Sequence, residues 1–244
     1  MNVVLVGGLF GLAVLSGMLG LGVAFVAVPF LSFFMDDLVH QVQPLSLLLN
    51  GVTALFSVFG FAVGGLVDWR KAIALAVVTT AVAPLGAWLV QYVPQVYVWV
   101  AYFVAVGFLA YRLFRPVRAG GHREERFGIA LALAVPISVV AGFLGVGPGF
   151  LLLPVLILAG FEPKRAAAIN AFAVMPPSFS ALIPHLSTAT WDLPLTGTLV
   201  VVGALGSFIG ARTAVRWVAG ARLKQIFGVL IVVVTGYRLL TLLN

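Results

Sequence analysis

The sequence predicts an all-helical protein that crosses a membrane several times and consists of two similar halves. Its composition, the length of its apolar runs and an internal repeat lead to this prediction. Of the 244 residues, 62% are hydrophobic and 9% are charged, and the mean hydropathy is +1.18. No soluble core of this size needs so much apolar surface, so we expect lipid to be the solvent for most of the chain.

Eight apolar runs follow one another along the chain, separated by short polar segments. About 20 helical residues cross the hydrocarbon of a bilayer, and most of the runs reach that length. The first and fifth runs are longer than one crossing needs, and a glycine cluster lies in the middle of each. We therefore expect each of these two runs to form two short helices. The runs lie at residues 3–35, 43–66, 72–93, 96–114, 127–160, 166–185, 193–215 and 223–243.

The two glycine clusters are copies of one pattern. Residues 142–154 contain Gly and Pro at a density through which a helix cannot run smoothly. Residues 17–31 repeat the pattern 125 positions earlier, with seven of fifteen residues identical. Further matches follow at offsets of 124 to 126 as far as the end of each half. We infer an internal duplication, with a first membrane repeat at 1–115, a basic linker at 116–126 and a second membrane repeat at 127–244.

The basic residues predict that the two halves have opposite orientations in the membrane. If each broken run dips into the membrane and returns, or crosses it twice as tilted pieces, every Lys and Arg except Arg238 lies on one side. Cytoplasmic loops of membrane proteins carry an excess of these residues, so this side is assigned to the cytoplasm. We expect two inverted repeats of four to five helices each, with the linker in the cytoplasm and both termini outside.

The glycine clusters are the predicted substrate site. A helix that begins inside the membrane presents unpaired N–H groups and the positive end of its dipole, and glycine lets an anion approach that backbone. Transporters with internal repeats bind their substrates at such breaks. The competing interpretation is that the glycines only permit close helix packing. The glycines assigned to the site are Gly20, Gly22, Gly145, Gly147 and Gly149.

The second element of each half is also predicted to break, at residues 50–53 and 175–178. The Pro176-Pro177 pair frees backbone groups that lipid cannot satisfy, so this backbone should face a cavity or protein. The polar side chains near these breaks are candidate substrate contacts, although each one alone is more typical of a hydrogen bond between helices. We expect two of them, Asn50 and Asn170, to reach one central cavity. The candidates are Ser46, Asn50, Thr53, Asn170 and Ser178.

Several classes of function are excluded. The chain has no Cys, which removes disulfides, thiolate metal sites and cysteine nucleophiles. No zinc-protease, Walker-type or nucleophile-elbow motif is present, and no carboxylate falls in the middle of an apolar run. We therefore expect no enzymatic activity and no cofactor. The net charge of +7 is explained by membrane orientation, so we expect no nucleic-acid partner.

Three features together resemble the sulfite and sulfonate exporter family of the TauE/SafE type. They are the glycine pattern followed by Pro29 or Pro154, the Asp68-Trp69-Arg70 turn, and the Gly-Ala pairs at 86–87 and 210–211. The resemblance covers nearly the whole chain. It implies a multi-pass permease of the inner membrane for a small sulfur-containing anion such as sulfite or an organosulfonate.

The resemblance and the residues leave some points open. A passive anion channel is the alternative to a transporter with alternating access. The coupling ion is H+ or Na+, and a homodimer is compatible with the sequence. The first glycine copy has Val23-Ala24 where the second has Pro148-Gly149, so the two anion-binding turns are expected to be unequal.

Overall fold

A computed structural model of the chain describes residues 3–114 and 125–218, together with positions 225, 229 and 233. Every regular element in these ranges is helical. The predicted linker at 116–126 lies outside the described residues except for its last two positions. The predicted final run at 223–243 also lies outside them, apart from the three isolated positions, which are helical.

The described residues form nine α-helices. The first half contains α1 (Val3–Leu19), α2 (Ala24–Leu31), α3 (Gln43–Ala62), α4 (Trp69–Leu89) and α5 (Gln95–Phe114). The second half contains α6 (Phe127–Leu144), α7 (Gly149–Leu158), α8 (Pro163–Leu182) and α9 (Leu193–Trp217). Among these, five segments are long and apolar enough to cross a membrane. They are Leu38–Ala62, Trp69–Tyr92, Phe127–Leu144, Pro163–His185 and Leu193–Trp217.

The first and fifth apolar runs are each divided into two helices, but the pieces are unequal. The helices α1 and α6 have 17 and 18 residues, whereas α2 and α7 have 8 and 10. In each pair the short helix folds back along the long one. The Arg126 N–H donates to the Ala159 carbonyl at 2.9 Å, which joins the start of α6 to the end of α7. A Cβ on Gly8 of α1 would lie 2.5 Å from the Phe30 ring of α2. We call the α1–α2 pair hairpin 1 and the α6–α7 pair hairpin 2.

Each hairpin packs, through a glycine of its long helix, against the fourth helix of the other half. A Cβ on Gly17 of α1 would collide with the backbone of Ser207 on α9, and one on Gly142 of α6 would collide with Ala83 on α4. These contacts are equivalent under the sequence repeat. The carbonyl oxygen and the backbone of the neighbouring helix occupy the space of the missing side chains, so the helices approach as closely as small residues allow.

The two central helices, α3 and α8, are unbroken, and the predicted breaks at 50–53 and 175–178 are wrong. In α3, Gly51 leaves room for the Phe179 ring, which would lie 2.6 Å from a Cβ at that position. In α8, Pro177 removes the helical hydrogen bond to the Ala173 carbonyl. The Thr79 hydroxyl of α4 donates to that carbonyl instead, at 3.0 Å. A donor from a neighbouring helix therefore replaces the missing bond, and α8 continues to Leu182.

Carboxylates start the helices at both ends of the bundle. Asp37, Asp68, Glu162 and Asp192 each accept a hydrogen bond from a backbone N–H in the first turn that follows. A negative charge at this position also complements the helix dipole. Asp37 and Glu162 are equivalent under the repeat, as are Asp68 and Asp192. Both halves therefore use the same charged caps.

Several basic residues meet at one end of the bundle. Lys71 forms ion pairs with Asp68 and Glu125, and it lies 5.0 Å from the centre of the Phe161 ring. Arg165 approaches the same Glu125 carboxylate at 3.6 Å. At the opposite end, His40 pairs with Asp37 at 2.8 Å. The basic residues of α4, of the segment before α6 and of α8 thus lie together.

Candidate functional site at the two glycine breaks

The two glycine breaks have nearly the same backbone geometry. Gly20 and Gly22 follow α1 with φ values of 61° and 68°, and Gly145 and Gly147 follow α6 with 67° and 69°. Residues with a Cβ rarely adopt these left-handed conformations, so all four positions favour glycine. The repeated sequence therefore forms the same turn twice, and each turn ends in a short helix.

The starts of α2 and α7 lie next to each other in the interior. The Phe25 and Phe150 rings, from the first turns of the two helices, stack with centroids 5.2 Å apart and an interplanar angle of 9°. Both rings are at most 1% exposed. These two residues are equivalent under the repeat. Two helix starts, each carrying the positive end of a dipole, thus face the same buried region.

Two side chains of α3 cap the start of α2. The Ala24 N–H donates to Asn50 Oδ1 at 2.8 Å, and the Val23 N–H donates to Thr53 Oγ1 at 3.1 Å. Asn50 and Thr53 are fully buried. These N–H groups were expected to face an anion, and in this structure they bind protein side chains instead.

The start of α7 has no such cap. Pro148 occupies the N-cap position and carries no N–H. The side chains that correspond to Asn50 are apolar, since Val174 and Met175 lie there. None of the hydrogen bonds formed by described side chains reaches the N–H of Gly149, the first residue of α7. The second break therefore keeps the open helix start that the sequence predicted for both.

Asn50 also connects the two halves. Its Nδ2 donates to Ser178 Oγ of α8 at 2.8 Å, and that hydroxyl donates to the Val174 carbonyl at 2.6 Å. A Cβ on Gly22 or Gly147 would collide with the Asn50 amide. The structure thus brings three further predicted site residues, Gly22, Gly147 and Ser178, together around this side chain.

Asn170 lies between the two turns. Its Nδ2 donates to the Gly20 carbonyl at 2.7 Å and to the Gly149 carbonyl at 3.3 Å. The side chain is fully buried, and Oδ1 has no hydrogen-bond partner. Asn50 and Asn170 therefore face the protein interior, and their access to one central cavity stays a prediction.

The remaining predicted residues, Ser46 and Gly145, have different neighbours. Ser46 is fully buried, and its hydroxyl has no partner. Gly145 packs against Gln43, whose Cγ would lie 2.5 Å from a Cβ at that position. Gln43 Nε2 also donates to the Phe143 carbonyl at 3.4 Å, near the end of α6. Sequence reasoning missed Gln43, although its position beside Pro44 at the start of an apolar run marks it as a polar residue entering the membrane.

Neutral groups alone surround the two breaks within the described part of the chain. The Asp, Glu, Lys and Arg residues seen there lie toward the ends of the bundle or in connections between helices. The electrostatic field at the breaks therefore comes from helix ends and side-chain dipoles. Such a site suits a small anion, which backbone N–H groups bind without a buried cation.

Comparisons with known proteins agree with these features. The family model described as sulfite exporter TauE/SafE matches residues 3–238. Two proteins of Xylella fastidiosa, from strains 9a5c and Temecula1, are 27% and 29% identical to the chain, and each alignment covers 95% of this chain and 91% of the relative. A protein of Methanocaldococcus jannaschii is 22% identical over 74% of this chain and 71% of its own length. All three are named probable membrane transporter proteins.

No solved structure matches the chain significantly. The family match nevertheless spans both hairpins and the five segments, among the described residues, that are long and apolar enough to cross a membrane. The protein is thus a multi-pass membrane protein of a transporter family rather than of an enzyme family. The chain belongs to the TauE/SafE sulfite exporter family.

Proposed function

We propose that this protein is a secondary transporter of the inner membrane that moves a small sulfur-containing oxyanion, such as sulfite or an organosulfonate, by alternating access. One observation carries this proposal, namely the uncapped start of α7 at a buried glycine break. A helix start inside an apolar bundle binds an anion through N–H groups and the dipole. A small oxyanion fits such a site, and family membership favours oxyanions that contain sulfur.

Alternating access is typical of transporters built from two inverted repeats, one of which moves against the other. The contacts between the helices support such a relation. Gly17 packs on Ser207 while Gly142 packs on Ala83. Such reciprocal pairs are typical of a twofold relation, in which each contact occurs twice. A residue on the axis contacts its own equivalent, as Phe25 and Phe150 do. The proposed axis therefore passes between the starts of α2 and α7, where transporters of this type hold their substrate.

The distribution of charge supports the proposed orientation. Lys71, Arg126, Lys164 and Arg165 lie at one end of the bundle, where Lys164 also donates to the Val215 carbonyl near the end of α9. By the positive-inside rule this end faces the cytoplasm. Asp37 and His40 then face outward, and hairpin 1 enters from the outside whereas hairpin 2 enters from the inside.

A ligand panel on the purified protein tests the substrate class. The thermal midpoint is measured in detergent with sulfite, sulfate, thiosulfate, sulfoacetate, taurine and, as a negative control, chloride. A ligand that binds only the folded state raises the midpoint. We expect at least one sulfur oxyanion to do so at concentrations at which chloride does not. Equal responses to all anions would contradict a specific site.

A substitution at the start of α7 tests the location of the site. A Cβ on Gly149 would lie 2.6 Å from the Leu21 carbonyl oxygen and 2.6 Å from Val174 Cγ2. The Gly149→Ala variant should unfold at a lower temperature, because the Leu21 carbonyl oxygen is backbone and cannot move aside, and its folded form should lose most of the ligand-dependent rise in the thermal midpoint. Gly7→Ala on α1, where nothing lies within 4 Å of the added methyl, is the matched control and should keep it.

Flux measurements in liposomes separate a transporter from a channel. Alternating access predicts saturable uptake of the stabilising anion and exchange with the same anion loaded inside. A channel predicts uptake that rises linearly with concentration and shows no acceleration by internal substrate. Uptake with a gradient of H+ or Na+ imposed separately identifies the coupling ion.

A further inference from the structure

The amide nitrogen of the Asn170 side chain forms hydrogen bonds, whereas its amide oxygen, Oδ1, forms none. Both contacts of Nδ2 are with carbonyl oxygens, those of Gly20 and Gly149. These acceptors fix the orientation of the amide, because a flipped amide would place its oxygen against two other oxygens. Oδ1 therefore remains as an acceptor, fully buried and without a donor. Buried polar atoms of this kind are uncommon in folded proteins, and each one requires an explanation.

The amide group that carries this acceptor lies beside the start of α7. Asn170 Nδ2 would be 3.1 Å from a Cβ on Gly149, so the amide is beside the first residue of α7. The neighbouring N–H groups lack the caps that Asn50 and Thr53 provide for α2. The same small region therefore offers N–H donors, which attract an oxyanion, and one amide oxygen, which attracts a hydrogen-bond donor.

A ligand that satisfies both kinds of group needs an oxyanion and a hydrogen-bond donor in the same molecule. A fully deprotonated oxyanion has no donor, and its negative oxygens would be repelled by Oδ1. A hydrogen oxyanion carries its own hydroxyl, and a sulfonate carries a donor when a hydroxyl or amino group lies near the sulfur. In this conformation Leu21 covers the site, since its carbonyl oxygen lies against Gly149. The ligand therefore enters when the tip of hairpin 1 moves away from α7.

We propose that Asn170 is a specificity-determining residue whose Oδ1 accepts a hydrogen bond from the anion bound at the start of α7. The transported class is then a monoanion that carries a donor. This inference rests on the proposed function, because it assumes that an oxyanion binds at the second glycine break. The first break has Ser46 at the equivalent position, and its hydroxyl is also buried without a partner. Asn50 and Thr53 occupy the N–H groups of that helix start, however, so the first break holds no oxyanion and makes no corresponding selection.

The test compares two ligands that differ by one hydroxyl, ethanesulfonate and 2-hydroxyethanesulfonate. Affinities come from the thermal shift of the full-length protein as a function of ligand concentration. A site that hydrogen-bonds a hydroxyl rejects the analogue without it. We expect wild-type protein to bind the hydroxyl compound about tenfold more tightly, which corresponds to one buried hydrogen bond.

Two variants show whether Asn170 causes the preference. Asn170→Ala removes the acceptor and should reduce the affinity ratio of the two ligands to about one. Ser57→Ala removes a different buried hydrogen bond between the halves, to Ser207, and should leave the ratio unchanged. A ratio near one in the wild type overturns the inference, even when the variants do not fold. A preference that persists in Asn170→Ala overturns it as well.

The outcome also separates this inference from the proposed function. Binding of both sulfonates with equal affinity leaves the oxyanion site in place and removes only the role of Asn170. Failure of both sulfonates and of the whole anion panel to stabilise the protein removes the oxyanion site itself, and the role of Asn170 with it.

Discussion

The two glycine breaks share a backbone turn and differ in how the helix after the turn begins. After the first break, Asn50 and Thr53 occupy the N–H groups of α2. After the second, Pro148 and Gly149 leave α7 without a cap. The two copies of the repeat therefore share the glycine turn, but only the first copy has polar side chains that cap the following helix. The difference supports our proposal that the first break has a structural role and that the second break binds the ligand.

The largest loss of stability is expected at the two equivalent helix contacts that the halves make with each other. Gly17→Ala and Gly142→Ala each place a methyl group against the backbone of a helix from the other half, at Ser207 and Ala83. Backbone cannot move aside as a side chain can, so we expect each variant to lose about 3 kcal/mol or to fail to fold. Thermal unfolding in detergent measures the loss.

Controls for these variants lie on the same two helices. Nothing lies within 4 Å of a methyl group added at Gly11 of α1 or at Gly128 of α6. Alanine at either position should leave stability unchanged or raise it, because alanine is the better helix former. A large loss in only one of Gly17→Ala and Gly142→Ala would show that the two crossings are not equivalent.

The next largest loss of stability is expected at Asn50, which caps the helix at the first break and has no counterpart at the second. Asn50→Ala leaves the buried Ala24 N–H without its acceptor and removes the donor to the Ser178 hydroxyl, which keeps its own bond to the Val174 carbonyl. We expect a loss of about 2 kcal/mol, since an unsatisfied buried donor costs about 1 to 3 kcal/mol. Thermal or denaturant unfolding measures this loss. Ser178→Ala removes the partner of Asn50 Nδ2 and the bond of the hydroxyl to the Val174 carbonyl, but it leaves the cap on the Ala24 N–H in place and should cost about half as much. Equal losses would mean that capping of α2 contributes nothing specific.

A smaller loss of stability is expected at Thr53, the second of the two side chains that cap α2. Thr53→Val keeps the shape of the side chain and removes both the acceptor for the Val23 N–H and the donor to the Leu49 carbonyl. The expected loss is about 1 kcal/mol in the free energy of unfolding. The substitution lies in the first break, so the response to a stabilising anion should persist. Loss of that response would indicate that the start of α2 also contacts the ligand.

The smallest change in stability is expected at the helix caps at the ends of the bundle. These caps are charged carboxylates, whereas the side chains that cap α2 at the first break are neutral. Desolvation raises the pKa of Asp68, but hydrogen bonds and the charge of Lys71 outweigh it, so the pKa lies below its ordinary value of 3.8. A lowered pKa in the folded state contributes stability above the unfolded value, and this contribution is lost as the pH falls through the folded pKa. We expect Asp68→Asn to weaken the loss of thermal stability on acidification. Identical pH profiles for variant and wild type would contradict this role.

The breaks could be predicted from sequence because their cause is local. Two glycines with left-handed φ values lie close together in each break, and the repeat shows the same spacing twice. The continuity of α8 could not be predicted, since the donor that replaces the bond lost at Pro177 is Thr79, almost 100 residues away. Asn50 shows the same limit. The sequence shows a polar residue inside an apolar run, but it does not reveal that this side chain binds Ala24 and Ser178.

The exchange of packing partners between the halves has a consequence for the order of folding. Hairpin 1 is made first, but Gly17 of α1 finds its neighbour at Ser207, near the end of the described chain. Helix α1 therefore remains without this partner until about 190 further residues have been synthesised. The first half cannot complete its own structure before the second half arrives, so the folding unit during synthesis is the whole chain.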